Sequence, residues 1–452
     1  MITRKLLLAL IVSGKLIAQL DSKQKLRLFL FLKAHQVVLL RILLFLIFLF
    51  FIDWYTFQAF KTSFPSQAWV KVGFWLFSIL VYAYIIYGFL TFSRENMNPN
   101  FGTMVSLMIL SMVPKLIILA FLFGEDVLRF FTGSFQSISG SRQGDFLPDR
   151  RKFISQTALV LSVIPFVGIL HGVLIGKYRY RVMKHTLEFD DLPEEFDGFK
   201  ITQISDIHSG SFDDKKKLEY GIDLINQQKS DVILFTGDLV NNHAGEMEPW
   251  VDTFKKLHAP MGKYSILGNH DYGDYMYWPS QEAKAENLKR LSQIQEEIGF
   301  QLLRNENVKI EKPSLSGVEG AGASIDLIGV ENWGKGFAQY GDLAKAAANL
   351  SAQSFKILMS HDPSHFDEEV KKFAHHIHLT LSGHTHGMQF GIEIPGWIKW
   401  SPSSLRYPKW AGLYEEMGRY LHVNRGFGFL AFPGRVGIWP EITVLELRRK
   451  RS

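Results

Sequence analysis

Two stretches decide the fold: Lys200-Ile-Thr-Gln-Ile-Ser-Asp-Ile-His208 and, one amphipathic segment later, Asp231-Val-Ile-Leu-Phe-Thr-Gly-Asp238. Each is a short apolar run that reads as a buried strand and ends abruptly in oxygen- and nitrogen-bearing side chains. The stretch Lys215–Gln228 between them has helical periodicity, so the pair reads as a strand-helix-strand unit. Open sheets of this kind gather their ligands at the carboxyl ends of the strands. Working outward, strand-like runs recur at Tyr264–Leu267, Ile325–Val330, Ile357–Met359 and Ile377–Leu381, with a second helical stretch at Gln281–Ile298. A later series at Ala411–Tyr414, Arg419–Val423 and Ile442–Leu447 lacks intervening helices and reads as antiparallel. An α/β domain built as a mixed β-sandwich flanked by helices accommodates both parts.

Three further strand ends carry the same kind of residue: Leu267-Gly-Asn-His-Asp271, Ser360-His-Asp362 and Ser382-Gly-His-Thr-His-Gly387. A Gly or Ser beside each lets the backbone turn sharply, so that the side chain leaves the strand and enters a shared crevice. Asp206 with His208, and His384 with His386, are spaced i, i+2 and project the same way if their segments are extended. One such pair is an everyday surface or core feature, and an isolated Gly-Asp is usually a turn. Five in series after apolar strands form a set: two carboxylates, four imidazoles and one amide oxygen. That mixture suits two borderline or hard divalent ions about 3.5–4 Å apart, rather than a closed structural zinc site. The chain has no Cys, which excludes a disulfide scaffold, a thiolate metal site and a thiol nucleophile.

The order D-x-H, G-D, G-N-H-D, H and G-H-x-H resembles the calcineurin-like metallophosphoesterase superfamily over about Phe199 to Leu447. Ala411-Gly-Leu-Tyr-Glu415, Val423-Asn-Arg-Gly426 and Pro440-Glu-Ile-Thr443 resemble its membrane-associated bacterial branch. The resemblance implies that Asp206, His208 and His386 hold one metal, that Asn269, His361 and His384 hold the other, and that Asp238 bridges them. It implies a cofactor of two divalent ions (Mn, Fe or Zn), with hydrolysis of phosphodiester, pyrophosphate or phosphomonoester bonds by a metal-bridged hydroxide. His270 is then free to act as general acid or transition-state donor. Asn241 stands where many relatives carry an Asp that orients this histidine. Arg425 and Arg435, in glycine-bearing segments, are expected to clamp a phosphate through their forked geometry or else to form ordinary ion pairs. His243 is a further substrate-contact candidate. The aromatic insert Tyr272–Trp278 either lines an apolar channel or packs on the sheet.

The first third of the chain is of a different composition. A helix needs about 20 mainly apolar residues to cross a bilayer. Val37–Phe60, Val72–Phe92, Met104–Phe123 and Ile154–Ile175 meet that requirement, giving an all-α bundle of four spans. Leu6–Leu20, interrupted by Lys15, reads equally as a signal-like, interfacial or fifth spanning segment. The expected organisation is a basic segment over 1–36, a transmembrane region over 37–176, a linker over 177–198 and the phosphoesterase domain over 199–452. Lys115 lies in the middle of the third span, where an ammonium needs a partner or a cavity. Asp53 is the candidate partner.

The whole chain of 452 residues is 47% hydrophobic, which excludes a disordered protein, and its net charge of +6 suits a lipid surface better than nucleic acid. The expected partners are therefore the bilayer and a phosphorylated substrate, lipid-linked because tethering concentrates lipid-borne groups. A non-catalytic membrane scaffold or sensor, and a membrane nuclease, are the competing classes. The complete ligand set with His270 counts against the first, and the absence of a basic stripe with stacking aromatics counts against the second. For the side of the membrane two signals compete. The basic tail (Arg4, Lys5, Lys15, Lys23, Lys25, Arg27, Lys33) and four spans point to a cytoplasmic domain. Asp149-Arg-Arg-Lys152 before the fourth span resembles a twin-arginine export signal, and the basic loop Glu125–Lys152 belongs inside, so the domain is expected outside the cytoplasm.

Overall fold

The computed structural model describes residues 22–91, 101–139, 148–313, 322–394 and 396–450. It divides into two compact units, one comprising residues up to Leu80 with Met112–Val163, the other Val81–Ser111 with Ile164 onward. Four helices, Ser22–Ser63, Ala68–Leu90, Phe101–Ser139 and Pro148–Leu174, are each long and apolar enough to cross a membrane. Two of their ends differ from expectation. The first helix starts at Ser22 and so runs through the expected boundary at residue 36, because Lys, Arg, Leu and Gln there are all good helix formers and nothing breaks the pattern. The third continues to Ser139 rather than giving way to a loop at Glu125. Glu125 is buried and neutralised by Arg129 at 2.9 Å and Arg151 at 2.6 Å, so its charge does not end the helix. Leu6–Leu20 lies outside the described residues. Within the first unit, Lys115 Nζ is 2.6 Å from Asp53 Oδ1 and donates to Ser78 Oγ at 3.1 Å, the buried pairing expected of an intramembrane ammonium.

The strands described in the second unit are, in chain order, β1 (Arg181–Phe189), β2 (Phe199–Ile204), β3 (Val232–Phe235), β4 (Lys263–Ser265), β5 (Gln301–Leu302), β6 (Glu306–Lys312) and β7 (Ala323–Gly329). They continue with β8 (Lys356–Met359), β9 (Leu379–Ser382), β10 (Ile392–Ile394), β11 (Ile398–Trp400), β12 (Gly412–Glu416), β13 (Arg419–Val423) and β14 (Glu441–Arg449). One sheet has the order β1-β14-β2-β3-β4-β5, the other β12-β13-β9-β8-β7-β6, and β10-β11 stand apart as a ribbon. The expected linker over 177–198 is therefore partly a strand: β1 pairs in parallel with β14 along its whole length. Its edge position leaves only Leu187 and Phe189 buried, so the basic outer residues masked the strand pattern.

Alternation along the strands builds three apolar layers. Ile201, Val232 and Leu234 of the first sheet meet Ile325, Ile357, Leu379 and Leu381 of the second, forming the core between the sheets. Ile204, Ile233 and Phe235 face outward onto the helices Lys215–Asn226 and Gln281–Ile298, through Leu218, Ile222, Leu291 and Ile294. Ile328, Leu358 and Leu421 cover the opposite side with Phe366 and Val370. The result is a sandwich of two mixed sheets with helices outside. Buried polar groups then tie the two sheets in register. Gln203 donates to the Ser382 carbonyl at 2.8 Å and accepts from His422 Nδ1 at 2.8 Å. Because β2, β3 and β4 are parallel in one sheet and β8, β9 and β13 in the other, their carboxyl ends meet along one rim.

Candidate metal centre

That rim brings all seven expected ligand residues together. Asp206, His208 and His386 form one cluster and Asp238, His361 and His384 another, the contributing atoms of each lying within 4.8 Å of one another. Asn269 joins the second, with Oδ1 2.8 Å from His384 Nδ1. Asp238 stands between them: Oδ2 is 3.1 Å from His361 Nε2 and 3.6 Å from His208 Nε2, while Oδ1 accepts the His270 N–H at 2.8 Å.

The local backbone differs from the extended geometry expected for the i, i+2 pairs. Asp206, His208, Asp238, His384 and His386 all have left-handed φ, between 48° and 71°. Such a conformation costs a non-glycine residue of order 1 kcal/mol or more and persists only where the surroundings over-determine it. Here they do. The Asp206 carboxylate accepts the His384 N–H at 3.0 Å, and a Cβ on Gly383 would run into Ser205 Oγ and that same carboxylate. Asp271 accepts the N–H groups of Gly268, Asp238 and Leu239 at 2.8–2.9 Å, clasping the second and third strand-end loops. Burial and the nearby Asp238 charge push the Asp271 carboxyl up to about 7, against the pull of those N–H donors.

The hydrogen bonds behind the ligands decide which ring nitrogen carries a proton. His208 Nδ1 and His361 Nδ1 face the carbonyls of Val240 and Thr236, which can only accept, so both Nδ1 atoms are protonated. Their Nε2 atoms are turned into the site: His361 Nε2 lies 3.1 Å from Asp238 Oδ2, and His208 Nε2 lies 3.0 Å from His386 Nε2 and 3.6 Å from Asp238 Oδ2. His384 turns Nε2 toward Tyr407 Oη at 2.9 Å and Asp362 Oδ2 at 3.4 Å, directing its Nδ1 lone pair at Asn269 Oδ1. Ring nitrogens and carboxylate oxygens thus converge on one crevice, an arrangement suited to a cation that takes the place of the protons between them. His386 differs, because Arg435 Nη2 lies 3.2 Å from its Nδ1, so that Nε2 of the neutral ring carries the proton 3.0 Å from Asp206 Oδ1. A metal here would displace that proton. Charges follow the geometry. Burial pushes His384 down to about 4 and His208 well below its usual range. Burial also opposes a charge on His361, but the Asp238 carboxylate prevails and raises it to about 10. The Asp206 carboxyl, which burial would raise, is held below the usual range by His386. The donor set fits divalent ions of borderline hardness.

His270 does not join either cluster as a ligand. Its Nδ1 donates to the Asn241 main-chain carbonyl at 2.7 Å, and its ring packs on His208 and Tyr275, with centroids 4.9 and 4.5 Å away. Orientation therefore comes from the backbone of Asn241, while the Asn241 side chain serves Ser211 at 3.0 Å. Tyr407, which with Asp362 of the fourth motif holds His384, was not singled out by spacing, and Tyr275 of the aromatic insert accepts from Asn269 Nδ2 at 2.8 Å. Within the aromatic insert, Tyr275 lies over the site and Tyr272 packs inward on Tyr340.

The two arginines overturn the clamp expectation. Arg435 is completely buried, its guanidinium donating to the carbonyls of Arg425 at 2.6 Å, Gly426 at 3.2 Å and Gly428 at 3.0 Å. Arg425 is paired with the buried Glu441 and with Glu393 at 2.5 Å. Their forks are filled by protein oxygens because both segments fold under the rim rather than over it. His243 also stays out of the clusters. It is half exposed, 3.8 Å from Glu246, and lines a cavity of about 650 Å³. The walls of that cavity include Asn241, Phe429 and Phe212, together with Phe101 and Val173 from the ends of membrane-length helices.

A sandwich of two mixed sheets with two candidate metal-binding groups of aspartate and histidine at one rim is the arrangement of a metallophosphoesterase. The family comparisons agree: residues 199–388 match the calcineurin-like phosphoesterase family, and residues 40–177 match the family described as a probable calcineurin-like phosphoesterase, transmembrane domain. The chain belongs to the calcineurin-like metallophosphoesterases, as a membrane form with four spanning helices. It is 32% identical over 283 residues to the uncharacterized metallophosphoesterase YkuE of Bacillus subtilis, covering 62% of this chain and 90% of that protein. It is 25% identical over 395 residues to a Danio rerio transmembrane protein with metallophosphoesterase domain, covering 86% of this chain and 82% of that one. It is also 30% identical over 305 residues to the UDP-2,3-diacylglucosamine pyrophosphatase LpxG of Chlamydia trachomatis, covering 59% of this chain and 90% of that protein. The protein is thus a metal-dependent phosphoester hydrolase of the membrane.

Proposed function

We propose that the protein hydrolyses a phosphoric ester or anhydride bond in a lipid-linked substrate, using two divalent ions drawn from Mn, Fe or Zn. Asp206, His208 and His386 would hold one ion, Asn269, His361 and His384 the other, and Asp238 both. The observation that carries this reading is the convergence of the His208 and His361 Nε2 atoms and the His384 Nδ1 atom with the Asp238 carboxylate in a buried site. When bound, such a pair of ions acidifies a water for in-line attack on phosphorus and offsets the charge on the phosphoryl oxygens. The chain's own residues do the rest. With Nδ1–H fixed on the Asn241 carbonyl, His270 directs Nε2 into the site, where its protonated form delivers a proton to the leaving oxygen. Tyr275 closes one side over Asn269 and His270 and limits access of bulk water.

Two observations support a lipid-linked substrate. LpxG, the Chlamydia relative, is named for a diacylated sugar nucleotide. The cavity beside Asn241 and His243 is walled in part by Phe101, Phe212, Phe429 and Val173, suiting a hydrocarbon chain leading away from the phosphate. We infer that the soluble half lies outside the cytoplasm. The pairing of Arg129 and Arg151 with Glu125 and Asp126 leaves that inference intact, since Lys and Arg set the orientation bias and acids contribute little. The test is to assay the full chain in lipid nanodiscs with Mn²⁺. The substrates are bis(p-nitrophenyl) phosphate, p-nitrophenyl phosphate, and a nucleotide-linked lipid pyrophosphate with and without its acyl chains. Preference for the acylated pyrophosphate is expected. Equal or better turnover of its deacylated form would overturn the lipid assignment, and no turnover of any phosphoester would overturn the activity.

A further inference from the structure

The ribbon β10-β11 is built with its polarity reversed. Its register pairs Ile392 with Trp400, Glu393 with Lys399 and Ile394 with Ile398, so the apolar side chains share one face and the charged pair occupies the other. In a solvated hairpin the charged face is turned to water. Here it is turned to the protein. Glu393 receives Arg425 at 2.5 Å, and Lys399 Nζ donates to the Ala411 carbonyl at 2.6 Å above the rings of Trp410 and Tyr414. The apolar face is left outside, with Ile392 51%, Ile394 42% and Trp400 47% exposed, and Trp397 at the tip 77% exposed. A two-stranded ribbon with such a face requires a cover.

The attachment of the ribbon indicates which cover. Just before β10, Gly391 N–H donates to the Val436 carbonyl at 2.9 Å, and Val436 N–H donates to the Gln389 carbonyl at 2.8 Å. The adjacent Arg435 N–H donates to the Gly172 carbonyl at 3.1 Å, in the last turn of the membrane-length helix Pro148–Leu174. The approach is close: a Cβ on Gly172 would lie 2.7 Å from the Arg435 carbonyl oxygen. His171 packs edge-on against Trp439, over which the Arg179 and Arg181 guanidinium groups lie 5.1 and 5.6 Å away. The ribbon thus starts one residue from a segment bound to the end of a spanning helix, beside a cluster of Trp and Arg of the kind found at headgroup level.

We propose that β10-β11 is a membrane-dipping ribbon whose Ile392, Ile394, Trp397 and Trp400 insert into the interfacial layer of the bilayer. It continues the membrane surface of the helix Pro148–Leu174 and, starting six residues after the ligand His386, fixes the height of the metal-binding rim above the lipid headgroups. This assignment does not depend on which phosphoester is hydrolysed. Because the chain has no Cys, a single introduced thiol can be labelled selectively. Full-length Trp397→Cys carrying an environment-sensitive fluorophore is reconstituted in nanodiscs, with lipids spin-labelled either near the headgroup or deep in the chain. Ile394→Cys serves as a second site should the first variant fold poorly. Met417→Cys, on the β12-β13 turn at the far end of the sheet from the metal-binding rim, is the reference. Blue-shifted emission from the ribbon, quenched more by shallow than by deep spin labels and far more than at residue 417, is the expected result. Emission like that of a water-exposed dye would overturn the proposal. So would a blue shift without lipid quenching, which would mean that a protein surface, including a second copy, covers the ribbon.

Discussion

Replacing Arg435 by Met keeps the aliphatic stem and removes the guanidinium, which separates a structural arginine from a phosphate clamp. In the wild type the group donates to three carbonyls. The Gly426 carbonyl retains the Glu441 N–H at 3.0 Å, whereas the Arg425 and Gly428 carbonyls have no other donor among the described residues. Two buried acceptors are orphaned, at about 1–3 kcal/mol each, for a total of about 2–6 kcal/mol. At roughly 2–4 °C per kcal/mol for a domain of this size, the unfolding midpoint falls by roughly 4–24 °C. The same loop backs Asp206 and His386, so metal at that cluster should be held less tightly. Scanning calorimetry or intrinsic fluorescence on the reconstituted protein reads the midpoint, and kinetics on a soluble phosphodiester well below that midpoint reads KM. The expected outcome is lost stability with KM little changed. Wild-type stability with a strongly raised KM would show that Arg435 binds substrate and would refute the reasoning.

Other outcomes follow from the same geometry. His270→Ala should keep its metal and lose roughly 10²–10⁴-fold in rate with poor leaving groups but less with activated aryl ones, as rates on both substrate types beside elemental analysis will tell. Burial opposes ionisation of Glu441, yet Arg425 and His422 hold its pKa at about 2 against 4.5 in the unfolded chain. A lowered folded-state pKa means stability that is full above 4.5 and lost as pH falls toward about 2, amounting to about 3 kcal/mol. Unfolding midpoints across that window should fall for the wild type and stay flatter for Glu441→Gln. Because Asp238 raises His361 to about 10 in the metal-free site, metal uptake releases a proton. Apparent affinity should drop by about tenfold per pH unit on acidification for each proton displaced, which titration against a metal buffer will test.

The sandwich was legible where short runs rich in apolar residues stand between turn signals: Val232–Phe235 is wholly apolar, and it, Arg419–Val423 and the helix Gln281–Ile298 coincide with the observed elements. Elements buried on one side only were less so. β1 carries its charges outward and fell within the expected linker, and β10-β11 is too short for alternation to register. The candidate ligands stood out because each follows an apolar strand, although the left-handed backbone at Asp206, His208, Asp238, His384 and His386 did not, since Asp and His do not announce it as Gly does. The sequence carries no signal for Tyr407, which reaches His384 from 23 positions away. Nor does an arginine between glycines declare whether its fork meets a ligand or, as in Arg435, the carbonyls beneath the site.

The central claim is that Asp238 holds two ions at once, and the most direct measurement is the metal content per chain of Asp238→Ala beside the wild type and His361→Ala. The predicted result is two metals in the wild type, loss of both with loss of turnover in Asp238→Ala, and a deficit chiefly at one site in His361→Ala. An Asp238→Ala protein that kept two metals per chain and normal turnover would contradict the account.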